Sequence, residues 1–331
     1  MHQGCKPYVL TPLMHALPFL IDTRYTLIFP SHTVLASCPL ADLLADLAPT
    51  DAPTLLAHGG VWVNFRRVTD PDLIVPAGAM LSLRRPPGDN YAALELVAED
   101  IAYEDEWLLA LHKRFGWYSG ATPWDLRGNA FAATQRYLIA RDGSAGALHL
   151  AHQLDRDTTG VLLLSKRPEA NPPLQRAFVK RTISKRYLAL CVGEPPEVGE
   201  LHTGHGRVSA GRWGVYTNEE IGMALPPSSG RVKAAHTSYH VEQRLIGAAL
   251  IVAEPHTGRT HQIRLHMAHL GHPLLGDVRY GGPEAYRGLA LPGHLLHAAR
   301  LAMAHPINGT PLLIESPLPK LFVQALEIGL T

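Results

Sequence analysis

Apolar residues in this chain come in short runs. Leu108 to His112, Val161 to Leu164, Tyr187 to Val192, Thr237 to Val241 and Ala249 to Ala253 are each bounded by charged or turn-forming residues, and Ala102-Tyr103 is a shorter sixth case. Such lengths suit strands of a buried sheet and are short for ordinary helices. The 29 glycines and 27 prolines turn the chain often and argue against an all-helical fold. Helical signals are few. Pro172 after Asn171 predicts a helix running to about Lys180. A second is expected from Thr260, as N-cap, to Leu270, with Gly271 at its end. Strands interleaved with a few helices predict an α+β fold.

The 331 residues suffice for one large domain and a smaller one. Residues 25–87 form the smaller candidate. Leu40 to Leu47 reads as an amphipathic helix, Leu55 to His58 as a helix end stopped by Gly59-Gly60, and Val61 to Asn64 and Met80 to Leu83 as strands around a Pro76-Ala77-Gly78 turn. Pro86 to Asn90 reads as a linker, and residues 94–325 as the main domain. Within it, residues 194–229 are rich in Gly, Pro and polar residues and are expected as surface loops or a hairpin.

Composition excludes some classes. Hydrophobic residues at 46% and charged residues at 18% describe a globular chain, and the net charge of +1 rules out an overall basic coat while allowing a local basic cleft. Cys5, Cys38 and Cys191 form no C-x-x-C pair, which fits a reducing cytoplasm and disfavours a cysteine zinc site. The apolar run from Leu10 to Ile21 is broken by Pro12, His15 and Pro18, so neither a signal peptide nor a membrane span is expected.

Three segments carry candidate chemistry. His152 to Gly160 places Gln153, Asp155, Arg156 and Asp157 just before a strand, where a loop can hold a carboxylate on a cleft rim. From these residues alone, a solvated turn with a chance acidic residue is the simpler reading. His256 to His266 has Gly258 to allow a close turn, then Ile263, Met267 and Leu270 as an apolar stripe, with His261, Arg264 and Leu265 on a neighbouring face. An arginine fixed on a helix can pair with a carboxylate or a phosphate. In Ser184 to Leu190, Lys185 precedes Tyr187, which can stack on a base or pack in a core.

Taken together, "AHQLDRDTTGVLLLSK", "SKRYLALCVG", "GRVKAAHTSYHV", "PHTGRTHQIRLHMAHLGHPLLGDVRYGG" and "LLHAARLAMAHP" resemble, in the same order, the RluA-type family of pseudouridine synthases. "LLAHGGVWVNFRRV" and "VPAGAMLSL" are similar to the S4-like RNA-binding module that many members carry. The resemblance implies a mixed, largely antiparallel sheet crossed by a cleft, preceded by a small α/β module. It implies that Asp155 is the essential carboxylate, that Arg264 pairs with it and that Tyr187 packs against the target base. It implies that no metal or cofactor is needed. Arg156, Lys185 and Arg259 are expected to meet flanking phosphates. Gln153 stands where the family usually has Arg, and Arg114 follows Lys113 where it usually has Pro. The expected partner is RNA, ribosomal first and transfer RNA second, bound by a monomer.

The residue types suit the reaction. Uridine loses its C1′–N1 bond, turns its ring and gains a C1′–C5 bond without redox change. A carboxylate can attack or stabilise the reacting centre, and a nearby Arg keeps it ionised. A metal hydrolase lacks an H-E-x-x-H set, and a glycosidase using Asp155 with Asp157 leaves Arg264 unexplained. A non-catalytic RNA-binding protein is the remaining alternative.

Overall fold

The computed structural model of the chain describes residues 8–10, 31–208, 212–225 and 230–331. Cys5, residues 11–21 of the apolar run, and residues 25–30 of the smaller expected domain lie outside the described residues. Among the described residues, no helix is long and apolar enough to cross a membrane.

The chain divides into two compact units, Met1–Leu94 with Ala121–Ala132, and Glu95–Gly120 with Ala133–Thr331. In the smaller unit an antiparallel sheet runs in the order Tyr8–Leu10, Ser31–Val34, Met80–Leu83, Val61–Val63, Arg66–Val68. The helices Leu40–Leu47 and Ala52–His58 bury Leu40, Leu43, Leu44 and Leu55 with Val34, Val61, Leu81 and Leu83. Residues 121–132, read from sequence as part of the main domain, belong to this unit. Trp62 Nε1 donates to the Pro123 carbonyl at 2.7 Å, and Asp125 is hydrogen-bonded to His58 at 2.8 Å.

The larger unit holds an eleven-stranded mixed sheet. Its strands in chain order are β1 (Ile101–Glu104), β2 (Leu108–Lys113), β3 (His149–Leu150), β4 (Thr159–Ser165), β5 (Ser184–Val192), β6 (Val198–Arg207), β7 (Trp213–Tyr216), β8 (Lys233–Leu245), β9 (Ala248–Pro255), β10 (Leu296–Ala304) and β11 (Pro311–Glu315). The spatial order is β7-β6-β8-β9-β5-β10-β4-β2-β1, with β3 on β4 and β11 on β10. Every pairing is antiparallel except β4 with β10, where Thr159 faces His297 and Gly160 faces Ala298. All of β4 is buried, as expected for a strand with both faces covered. The strands approach so closely there that a Cβ on Gly160, whose φ is +108°, would lie 2.2 Å from the Ala298 carbonyl oxygen. Only glycine fits.

Within the described part of residues 194–229 the expected hairpin forms, but as an extension of the main sheet rather than as a surface appendage. Most of β6 and all of β7 extend the main sheet, with β6 paired to β8 from Val198↔His240 to His205↔Lys233. The cause lies in β8, where Ala235, Thr237, Tyr239 and Val241 alternate into the core and leave an edge for β6 to satisfy. Among the described residues four helices complete the unit: α1 (Ala130–Asp142, which enters it at Ala133), α2 (Asn171–Lys180), α3 (Gln262–His269) and α4 (Lys320–Leu330). Helix α2 buries Leu174 against Val161 and Leu163 of β4. Helix α3 packs Ile263, Met267 and Leu270 on Ile251, Ala253 and Leu274.

Candidate active site

A cleft of about 700 Å³ opens between the loop before β4, the start of β5 and the turn that leads into α3. Gln153, Asp155, Lys185, Tyr187, Arg259 and His261 all line it. Such a cleft is large enough for a nucleotide-sized ligand.

The Asp155 loop is held mainly by uncharged hydrogen bonds from behind. Ser119 Oγ donates to the Leu154 carbonyl at 2.8 Å and accepts the Leu154 N–H at 2.9 Å. Thr158 and Thr159 hydroxyls are hydrogen-bonded to His294 and His297 at 2.8 and 2.7 Å. Lys113, 1% exposed at the end of β2, donates to the carbonyls of Arg156 at 2.9 Å and Thr158 at 2.7 Å. Burial pushes the Lys113 ammonium down to about 7, against the opposing charges of Asp157 and Asp155.

The opposite wall is a tight turn fixed by Gln262. Its Oε1 accepts from Thr257 Oγ1 at 2.6 Å and from the Arg259 N–H at 3.0 Å; its Nε2 donates to the His236 carbonyl and Thr237 Oγ1 at 2.9 and 2.8 Å. This turn corrects two expectations. Thr260 is not the N-cap: α3 begins at Gln262 after His261. Gly258 has open space around it, while the left-handed backbone falls on His261, at φ +57°. A non-glycine residue in that region costs roughly 1 kcal/mol, so the surrounding hydrogen bonds impose it. The result aims His261 at the cleft, with Nε2 3.8 Å from Asp155 Oδ1 and Nδ1 hydrogen-bonded to the Tyr280 hydroxyl at 2.7 Å.

Arg264 joins the two walls. Its Nη1 donates to Asp155 Oδ2 at 2.9 Å, while Nε and Nη2 form a fork on Asp277 at 2.7 and 2.8 Å. Burial alone would raise the Asp155 carboxyl, yet the cationic surroundings outweigh it and hold it well below the usual carboxylate range. Because burial pushes His261 down to about 3, that imidazole is neutral at neutral pH and Arg264 is the working counter-charge. Arg264 stays protonated despite burial because it bonds both Asp277 and Asp155. Asp155 lines the cleft with one carboxylate oxygen anchored, while among the described residues no hydrogen bond reaches the other, Oδ1.

Tyr187 sits at a register shift between β5 and β10, a device that re-aims a side chain. Burial, then the charge of Asp155, pushes its phenol well up, so it is neutral at neutral pH. Burial, then Arg181, lowers Lys185 to about 8, and its Nζ reaches the Thr257 carbonyl at 3.4 Å. Arg259 lines the cleft with Nε on the Ala234 carbonyl at 2.9 Å. Gln153 is exposed in the cleft wall. Arg156 is the exception among the expected phosphate contacts. It is not part of the lining, and its guanidinium turns back onto Asp157 at 2.7 and 3.1 Å. His261 is read from sequence only as a neighbour of Arg264 on one face, and Lys113, Asp277 and His294 have no site role expected of them. Their signal was a polar residue embedded in an apolar or glycine-rich context.

The family model for RNA pseudouridylate synthase matches residues 108–269, which span both walls of the cleft. "RNA pseudouridine synthase 1" of Oryza sativa subsp. japonica is 35% identical over 277 residues, 72% of this chain and 78% of that protein. The chain belongs to the RluA-type family of RNA pseudouridine synthases. "Ribosomal large subunit pseudouridine synthase D" of Vibrio parahaemolyticus is 32% identical over 297 residues, covering 85% of this chain and 86% of the relative. The solved structure of human RNA Pseudouridylate Synthase Domain Containing 4 aligns with a TM-score of 0.55 and 25% identity, covering 69% of this chain and 92% of that one. As an RNA pseudouridine synthase, the enzyme isomerises uridine within RNA, and its α+β fold with a mostly antiparallel sheet is that of its structural relatives.

Proposed function

We propose that Asp155 is the catalytic carboxylate of this pseudouridine synthase and that its substrate is large-subunit ribosomal RNA. One observation carries the first part: a cleft-facing carboxylate with one oxygen pinned by Arg264 and the other unbonded among the described residues. In that arrangement Oδ1 can bear on the flipped nucleotide while Arg264 keeps the group ionised. The C1′–N1 bond breaks, the uracil turns, C5 bonds to C1′, the C5 proton leaves and N1 gains a proton, so the product is an isomer. A neutral Tyr187 phenol offers a flat face to the extruded base and a proton donor beside it. Lys185 and Arg259 on the wall are suited to flanking phosphates, and Gln153 to a base edge. The second part rests on the relatives in Vibrio parahaemolyticus and Pseudomonas aeruginosa, both named for the ribosomal large subunit. The smaller unit, as an S4-like module, would add grip on RNA through Arg66, which is exposed; Arg67 is already engaged with the Thr122 carbonyl and the Trp62 ring.

Asp155→Asn keeps shape and removes the nucleophile. Single-turnover rates on ribosomal RNA should fall by about 10³-fold or more, with RNA affinity unchanged. Near-normal turnover in that variant overturns the assignment. Pseudouridine mapping with and without the enzyme tests the substrate, and a lost site confined to transfer RNA rejects the ribosomal reading.

A further inference from the structure

Outside the cleft chemistry, three imidazoles form one rung across three strands. His202 of β6 faces His236 of β8 directly in register, and the His256 N–H, just past β9, donates to the His236 carbonyl. The rings stack in sequence, with centroids 3.8 Å apart for His202 and His236 and 4.1 Å apart for His236 and His256. Glu200, two residues before His202, shares its face of the strand. Its carboxylate oxygens lie 3.3 Å from His202 Nε2 and 4.0 Å from His236 Nε2. Ser238 satisfies His256 Nε2 at 2.9 Å, but His236 Nε2 is buried without a hydrogen-bond partner. A buried ring nitrogen facing a carboxylate and a second imidazole is a ligand set awaiting a cation.

We propose that Glu200, His202 and His236 bind a single divalent transition-metal ion of the zinc class on the rim of the cleft. Their ligating atoms all lie within 4.8 Å of one another, and a tetrahedral zinc ion with arms near 2.0–2.1 Å needs its ligands about 3.4 Å apart. The adjustment falls on Glu200 and His202, whose side chains are 64% and 54% exposed and can swing, while His236 stays fixed between its neighbours. Two imidazoles and one carboxylate suit zinc over magnesium or calcium, which prefer oxygen sets. Three protein ligands leave a fourth position for water. The site adjoins the cleft: His256, stacked on His236, is one of the lining residues, and the His236 carbonyl receives the Gln262 amide that shapes the turn before Arg264. Motif reading does not find such a set, because its ligands come from two strands 34 residues apart in sequence, as the numbering of His202 and His236 shows.

The test is a calorimetric titration of the full-length, tag-free chain with Zn²⁺ as the probe. One zinc per chain is expected. His236→Ala and His202→Ala should each weaken binding by about 10-fold or more. His240→Ala should leave it unchanged: His240 has the same spacing to Glu242, at 3.3 Å, but faces Val198 across the strand pair. Because His202 is more than half exposed, its variant should keep the wild-type melting curve, which separates ligand loss from unfolding. Saturable binding that survives both substitutions, or that falls equally in His240→Ala, overturns the proposal, as does the absence of saturable binding. Zinc titration is independent of turnover, so the result stands apart from the assignment of Asp155.

Discussion

The two walls of the cleft are held by different physics. The Asp155 loop hangs on hydroxyl, imidazole and carbonyl hydrogen bonds, with Lys113 as its one buried cation. The Arg264 wall is built around a buried ion pair, with Asp277 taking two of the guanidinium's N–H groups and leaving Nη1 for Asp155. The contrast separates two demands. A carboxylate that reacts as proposed for Asp155 must be ionised yet not fully bonded, and the hydrogen bonds that hold its loop go to backbone and hydroxyl groups rather than to its carboxylate. The cation that keeps it ionised must be immobile, and it is clamped from the far side by a carboxylate that never meets the cleft lining. A buried pair of this kind is weak support for stability but a firm means of orientation.

The sharpest way to break that contrast is to loosen the clamp. Arg264→Lys keeps the charge and loses the fork, and single-turnover rates should fall by about 10²-fold through misplacement of Asp155. Asp277→Asn should cost about 3 kcal/mol in denaturant unfolding, because it leaves Arg264 short of charge in a buried site. Asp155→Asn, on the exposed side of the same guanidinium, should cost much less. Equal losses at the two aspartates would mean that the clamp and the working face are not distinct.

The other wall should respond to pH. Lys113 titrates near 7 when folded, well below the value of a free lysine. Between those values the unfolded chain binds the extra proton, so stability should rise with pH through that window, by up to about 1.4 kcal/mol per unit. The cost of the buried charge is then fully present below pH 7. Lys113→Met should flatten the slope between pH 7 and 9 in chemical denaturation series, and an unchanged slope would remove Lys113 as its source. The smallest effect is expected at Gln153, whose side chain makes no hydrogen bond among the described residues and lies exposed on the lining. Gln153→Ala should weaken RNA affinity or site selectivity by about 5-fold, as for loss of one hydrogen bond, and leave the saturated rate far above that of Asp155→Asn.

Local pattern made much of the molecule legible. Strand runs such as Leu108 to His112 and Val161 to Leu164 are short, apolar and bounded by turns, and they lie in β2 and β4. The stripe of Ile263, Met267 and Leu270 does pack on the sheet. What escaped was decided by tertiary context. Leu296 to Ala304, rich in Ala and Leu, reads poorly as a strand and becomes one because β5 and β4 flank it. Helix α1 has no clear apolar face, and its best signal, Asn129 Oδ1 accepting the Ala132 N–H at 3.0 Å, is one residue. Helix α4 follows Pro319 and carries an amphipathic pattern that a domain end at 325 cuts through. In the site, Asp155 and Arg264 sit in recognisable motifs, whereas the Asp277 clamp depends on the chain folding back after α3.

The two-residue parallel contact of β4 with β10 has a consequence for assembly. It joins residues 138 apart in sequence, as the Thr159–His297 hydrogen bond shows, against 47 (Gly160↔Lys113) to 57 (Ser165↔Leu108) for the flanking β4–β2 pair and 107 (Ala189↔Leu296) to 118 (Ser184↔Ala302) for the flanking β5–β10 pair. Contacts of such separation carry the largest loop-closure cost and tend to form late. Asp155 enters the cleft from the β4 side of that seam, and Tyr187 and Arg264 from the β5 and α3 side. A chain in which only one side has folded therefore holds either the carboxylate or its counter-charge, never both. On the role proposed for Asp155, the nascent enzyme would stay inert toward the RNA around it until the two sides of this seam meet.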